Sequence, residues 1–232
     1  MSNVLLPDWP APANVKALAT TRTQGNLADH VDFEKSVVVV RRAALRARLP
    51  AEPLWLTQVH GARCVAAETA AASVEADASV ARTPGRVCAV LTADCLPVLL
   101  CDEAGGVVAV AHAGWRGLAT GVIESTVVAM NVPAERLLAW LGPAVGPSVF
   151  EVGDEVRAAV VDQDFAASTA FVARPNGKWL CDLYTLARLR LTSLGVTRVF
   201  GGERCTFSEP EHFYSYRREG VTGRMASLIW LV

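Results

Sequence analysis

The sequence predicts an α+β fold, a single domain of mixed β-sheets sandwiched with flanking helices. Three observations carry that expectation. The chain has 232 residues, 52% of them apolar and 19% charged, which suits one domain with a large core and argues against disorder. Its strand-like runs are short, apolar and punctuated by Gly and Pro. Helical segments stand among them, and one strand pair is joined too closely for anything except a hairpin. A purely parallel, doubly wound sheet is therefore disfavoured, because parallel neighbours need long crossovers.

The elements follow in order. Residues 15–21 read as a strand leading to the polar turn Thr23-Gln24-Gly25-Asn26. Residues 37–49 read as a helix stopped by Pro50. Residues 54–59 and 64–67 are strand-like around a turn at Gly61, and the alanine-rich stretch 66–76 reads as a surface connection. Residues 86–92, 96–102 and 107–111 are short apolar strands. A helix over about 117–130 is entered through Gly114-Trp115-Arg116-Gly117, and 136–141 is a strand ending in Gly142-Pro143. Residues 154–161 and 183–194 are helical, the second with Leu183, Leu186, Ala187 and Leu191 at helical spacing. Residues 197–200 and 226–232 are closing strands.

Composition excludes several classes. The formal net charge is -1, from 22 basic and 23 acidic residues, so no field of one sign attracts nucleic acid or an anionic membrane. No apolar run is long enough for a transmembrane helix. The N-terminus lacks a basic start and a sustained apolar run, so a cytoplasmic location is expected. The six cysteines are then expected as thiols, with no CxxC pairing. Cys88 and Cys101 read as small buried strand residues. A small-molecule substrate is the expected partner, and the chain a monomer or weak homodimer.

The most informative stretch is residues 87–117. Strands 96–102 and 107–111 are joined by Glu103-Ala104-Gly105-Gly106. A loop of two to four residues makes facing positions sum to 207–209. At 207, Cys95 opposes His112; at 209, His112 faces Pro97. Either register brings thiol and imidazole close, since facing residues have Cα atoms roughly 4.5–5.5 Å apart. Such a pair can be packing at a strand end, a nucleophile with its base, or two metal ligands. His60 follows Thr57-Gln58-Val59 and precedes Gly61. If it reaches the hairpin, it completes a Cys-His₂ set with one open position, the pattern of catalytic zinc.

Several motifs are ordered along nearly the whole chain: Thr57-Gln58-Val59-His60-Gly61, Thr92-Ala93-Asp94-Cys95-Leu96-Pro97, Ala111-His112-Ala113-Gly114-Trp115-Arg116-Gly117, Leu141-Gly142-Pro143, Phe150-Glu151-Val152-Gly153, Phe213-Tyr214-Ser215-Tyr216-Arg217-Arg218 and Thr222-Gly223-Arg224-Met225. With them the chain resembles the purine nucleoside phosphorylase/laccase-domain proteins, long catalogued as multicopper polyphenol oxidases. The resemblance implies residues 1–232 as one catalytic domain, with a fold related to certain cysteine hydrolases. It implies one zinc ion on His60, Cys95 and His112. It also implies phosphorolysis of purine nucleosides, including methylthioadenosine, and deamination of adenosine. Other activities credited to the family are copper-dependent laccase chemistry and editing of peptidoglycan precursors. The sequence departs from the family at Gln24-Gly25, where Gly-Gly is usual, and at Val40-Arg41, where Asn-Arg is common.

Residue counts weigh these chemistries. With His60 and His112 in one copper site, only His30 and His212 remain of four histidines, too few for a histidine-lined three-copper cluster. Copper(II) in the same three-ligand site stays open. The H-x-E and P-C-x-x-C signature of cytidine-type deaminases is absent, so deamination here would draw on the Cys-His₂ metal and its water. Phosphate could sit at the helix entry near Arg116, with Arg22 and Arg217-Arg218 as further anion-binding candidates. Trp115, Phe213, Tyr214 and Tyr216 could flank a purine. Asp94 is a candidate base or supporting carboxylate. A cysteine hydrolase using Cys95 as nucleophile and His112 as base, acting on an amide of a peptidoglycan precursor, is the main rival.

Overall fold

A computed structural model describes residues 4–31 and 35–232. The first three residues, part of the stretch read above for an export signal, lie outside the described residues. The strands are β1 (Val15–Ala19), β2 (Pro53–Leu54), β3 (Cys64–Ala66), β4 (Ala78–Ala81), β5 (Val87–Thr92), β6 (Leu96–Asp102), β7 (Val108–Ala113), β8 (Leu137–Leu141), β9 (Glu151–Val152), β10 (Phe171–Ala173), β11 (Trp179–Cys181), β12 (Arg198–Gly201) and β13 (Met225–Leu231). The helices are α1 (Lys35–Arg46), α2 (Trp115–Thr120), α3 (Val122–Met130), α4 (Asp154–Val161), α5 (Leu183–Ser193) and α6 (Tyr216–Glu219).

Two mixed sheets form the centre. One has the order β1-β13-β5-β2, the other β12-β8-β6-β7-β4-β3. Alternate residues of each strand face opposite sides. Cys88 and Val90 of β5 meet Leu99 and Cys101 of β6 and Val108 and Val110 of β7 between the sheets. Their neighbours face outward. Ala89, Leu91 and Leu228 pack under Leu45 of α1 and Leu49 just beyond it. Val98, Leu100, Ala109 and Ala111 pack under α3, α4 and α5. The result is four layers, helix–sheet–sheet–helix, with strands buried on both faces. That double burial is why β5, β6 and β7 read as continuous apolar runs. The small sheet β10-β11-β9 pairs with neither, but its Val152, Phe171 and Cys181 join the core under the six-stranded sheet.

The α+β expectation is met, with several differences of detail. The helix of residues 37–49 is α1 continued by tight turns at Ala47, Arg48 and Leu49. The helix of 117–130 is two helices, broken at Gly121, whose φ of 88° a continuous helix cannot hold. Residues 55–59 are not strand: past β2 the chain keeps only a single bridge, Thr57 to Glu75. The stretch 66–76 is no plain surface connection, since Ala67 and Ala76 are buried. It delivers β4, an unforeseen strand inside the six-stranded sheet. The β10–β11 pair was also unforeseen. Helix α5 starts where Asp182 accepts hydrogen bonds from the main-chain N–H groups of Tyr184 and Thr185, at 2.9 and 3.2 Å. Among the described residues no helix is long and apolar enough to cross a membrane, and the six cysteines are free thiols.

Candidate metal centre

Two loops and a strand deliver three candidate ligands to one point. The β6–β7 register is the 209 register: Pro97 faces His112 and Leu96 faces Ala113. Cys95 therefore lies one step beyond the ladder, against Gly114. A Cβ on Gly114 would stand 2.7 Å from Cys95 Sγ, so only glycine admits the sulfur there. Cys95 is held in the β5–β6 turn by Asp94, whose φ of 97° is strained for a side-chain-bearing residue. Both Asp94 oxygens are engaged: Thr206 Oγ1 donates to one and the Arg217 main-chain N–H to the other, each at 2.6 Å.

His60 reaches the hairpin through a clamp. The Gln58 side-chain amide donates to Leu91 O at 2.9 Å and accepts from Leu91 N–H at 2.7 Å, replacing a strand partner at the edge of β5. Beyond it, the N–H groups of Val59, His60 and Gly61 all donate to the carboxylate of Asp77, at 3.2, 3.0 and 2.7 Å. Those bonds hold His60 at φ 60°, where it points across to His112 with ring centroids 4.8 Å apart. Asp77 is fully buried and lies 2.8 Å from His112 Nδ1.

The ligand atoms of His60, Cys95 and His112 lie within 4.8 Å of one another, and among the described residues no other group of three is so placed. An ion at ~2.0–2.3 Å from nitrogen and sulfur would draw these donors together. The electrostatics agree with a soft, thiolate-bearing site. Burial alone pushes the Cys95 thiol up, but the charge of His112 and hydrogen bonds from His112 and His60 overcome it and bring it down to about 6. Burial alone pushes His112 down, but Cys95 and Asp77 raise it to about 9. Elsewhere burial prevails, and Cys88, Cys101 and Cys181 are pushed up to about 12. Cys95 thus inclines to the thiolate, the form a metal ion needs, where these three buried thiols do not.

The cluster opens into a cavity of about 660 Å³. Asp94, Arg116, Arg217, Trp115 and Tyr216, all foreseen, line it. Arg217 is anchored by its guanidinium on Glu151 O at 2.7 Å and stacks on Phe150. Arg116 lies over Trp115, 4.3 Å from the ring centroid. Helix α2, in which Arg116 is the second residue, has only six residues, so the cavity offers an anion guanidinium groups rather than a long helix dipole. Four candidates fall elsewhere. Arg218 turns its guanidinium to the main-chain oxygens of Thr206, Phe207 and Phe213 and to Glu219, away from the cavity. Arg22 donates to Pro210 O and Glu219 and stacks on Tyr214, outside the cavity. Phe213 is wholly buried in the protein interior. Tyr214 sits under Arg22.

Sequence reasoning missed three contributors. Asp77 lies in the stretch passed over before β4. Gln58 was quoted as motif without a role. Arg224 lines the cavity, with its guanidinium on Thr222 O and Gly223 O. Burial lowers the Arg224 pKa, opposed by the charges of Cys95 and Asp94. Arg224 lies within the Thr222-Gly223-Arg224-Met225 motif, and that position is the available signal.

The fold and the site together define an α+β sandwich whose His–Cys–His cluster, arranged so that it could hold a metal ion, opens into an arginine-lined cavity. The chain belongs to the family described as multi-copper polyphenol oxidoreductase laccase, which it matches over residues 18–232. It is 52% identical to a purine nucleoside phosphorylase of Pseudomonas aeruginosa, over 100% of this chain and 99% of that protein. It is 50% identical to the purine nucleoside phosphorylase YfiH of Escherichia coli, over the full length of both. Among solved structures, a Neisseria meningitidis protein superposes with TM-score 0.96 at 49% identity, covering 99% of each chain. YlmD of Geobacillus stearothermophilus superposes with TM-score 0.85 at 29% identity, covering 96% of this chain and 93% of that one.

Proposed function

We propose that the protein is a zinc-dependent purine nucleoside enzyme. It cleaves adenosine, inosine and methylthioadenosine by phosphorolysis, deaminates adenosine at the same centre, and uses residues 1–232 as one catalytic domain. The observation that carries the reading is that Arg116, Arg217 and Arg224 line the same cavity as His60, Cys95 and His112. Guanidinium groups suit a phosphate oxyanion, and about 660 Å³ is the scale of a small-ligand site. The names of the relatives, purine nucleoside phosphorylases, support the phosphorolysis part of this reading.

In phosphorolysis a phosphate oxygen bonds to the ribose C1′ as the C1′–N9 bond breaks, and the departing base takes up a proton. Arg116 and Arg217 hold the phosphate, and Trp115 and Tyr216 flank the base. Asp94 acts by placement, because both its oxygens are occupied in holding Thr206 and the Arg217 main chain. Bound zinc supplies Lewis acidity and an activated water. Deamination adds a water oxygen at C6 of adenosine and releases ammonia. Copper(II) is the alternative occupant of the same three ligands. A polyphenol oxidase would need further copper ions. His30 lines the cavity while His212 packs beside Phe213 outside it, so the two spare histidines do not form a second site.

One observation favours a second reading. Cys95, His112 and Asp77 stand in the order nucleophile, base, orienting carboxylate, which suits amide hydrolysis in a peptidoglycan precursor. Metal analysis separates the two. Near-stoichiometric zinc that is lost in His60→Ala argues against a free thiolate nucleophile. The direct test is incubation of zinc-loaded protein with the three nucleosides, with and without phosphate. Base release should require phosphate and ammonia release should not. Zinc-loaded protein that yields neither base nor ammonia refutes the proposal.

A further inference from the structure

We propose that Asp77 is the positioning residue of the metal centre, a single buried carboxylate that orients both imidazole ligands at once. The inference rests on the metal-site part of the reading above and not on the substrate. Asp77 Oδ1 faces His112 Nδ1 at 2.8 Å and accepts the His60 main-chain N–H at 3.0 Å. Its Oδ2 accepts the N–H groups of Gly61 and Val59. The main chain repeats the link, since His112 N–H donates to Asp77 O at 2.7 Å. With Nδ1 turned to the carboxylate, His112 presents Nε2 to Cys95 and to an ion. With three successive N–H groups gathered on one carboxylate, the loop keeps His60 at its strained positive φ rather than relaxing away from the cluster. Such carboxylate partners fix the tautomer and orientation of ligating histidines.

The side-chain requirement is specific. Both oxygens must accept, because every neighbour within hydrogen-bond distance is a donor. Asp77→Asn keeps the shape but turns one acceptor into a donor. Either the loop N–H groups or the pair formed by His112 and the His60 N–H then meets an NH₂ group. No neighbouring rotamer repairs both, so one histidine ligand is always compromised.

The test is zinc affinity of the full chain, measured by competition with a chromophoric chelator on Asp77→Asn and parent. The variant should bind zinc about 10–100-fold more weakly. Its cobalt(II) derivative should keep the thiolate charge-transfer band of Cys95 while its ligand-field bands shift. Zinc binding within twofold of the parent overturns the proposal. Should Asp77→Asn fail to fold, long-range ¹H–¹⁵N spectra of the zinc-loaded parent decide the matter. They should show His112 bound through Nε2 with its proton on Nδ1, and coordination through Nδ1 overturns the proposal. A purely structural role for Asp77 would not dictate that tautomer. Neither readout uses turnover, so an Asp77-dependent zinc site in a protein inactive on nucleosides sinks the proposed activity and leaves this inference standing.

Discussion

Gly114 has φ -65° and ψ 169°, a conformation open to any residue, so its role is purely one of space. Its Cα lies where Cys95 Sγ needs room, and a methyl group there would stand 2.7 Å from the sulfur. Gly114→Ala should therefore push Cys95 off the His60–His112 axis. The expected cost is about 1–3 kcal/mol of stability from overpacking, seen in denaturant titration. Zinc binding should also weaken on the order of tenfold, seen in chelator competition. The charges of the same residues set a pH dependence. Without metal, Cys95 is deprotonated above about 6 while His112 keeps its second proton up to about 9. Between those values a bound ion must displace one proton, from His112. Raising the pH favours that release, so zinc affinity should climb about tenfold per unit across the window and level off above it. Calorimetry in buffers of different ionisation enthalpy should count one proton released per zinc. A flat affinity between pH 6 and 9 contradicts the assignment.

The element that matters most is the least regular one. Residues 54–59 read as a strand before a turn at Gly61, yet beyond β2 they form a loop pinned at Gln58 and Asp77. Gln58 supplies the two hydrogen bonds that a strand neighbour would have supplied to Leu91. Gln58→Ala should cost about 1–3 kcal/mol through the unsatisfied Leu91 main chain and weaken zinc binding while leaving the β6–β7 hairpin intact. Thermal unfolding and chelator competition on one sample check both effects. By contrast, the hairpin itself was legible. Its short loop limited the register to two steps, and the structure takes the one with Pro97 opposite His112. Helix α5 was legible from its apolar spacing. The break at Gly121 was not, since one glycine inside an apolar pattern is compatible with a continuous helix.

At the scale of the whole molecule, the centre sits where elements far apart in sequence meet. His60 comes from the loop before β3, Cys95 from the β5–β6 turn and His112 from β7. An ion bound there ties the edge of the four-stranded sheet to the middle of the six-stranded one. Since those ligands converge only in the folded chain, metal should raise the unfolding temperature, by about 2.7 kcal/mol of stability at a hundredfold excess over Kd. Chelation should lower it, and His60→Ala should abolish the difference.

The sequence by itself determined the α+β class, the apolar strands, the hairpin and the meeting of Cys95 with His112. Each rests on local pattern: period, loop length and register act over a few residues. Its ordered motifs also carry the resemblance to the family. Only the tertiary structure decided that His60 arrives, that Asp77 stands behind both histidines, that Arg224 joins the cavity and that Arg22 leaves it. These depend on how separate segments pack across two sheets, where sequence distance carries no information. A buried carboxylate such as Asp77 owes its role to the donors that surround it, and those donors are gathered by the fold.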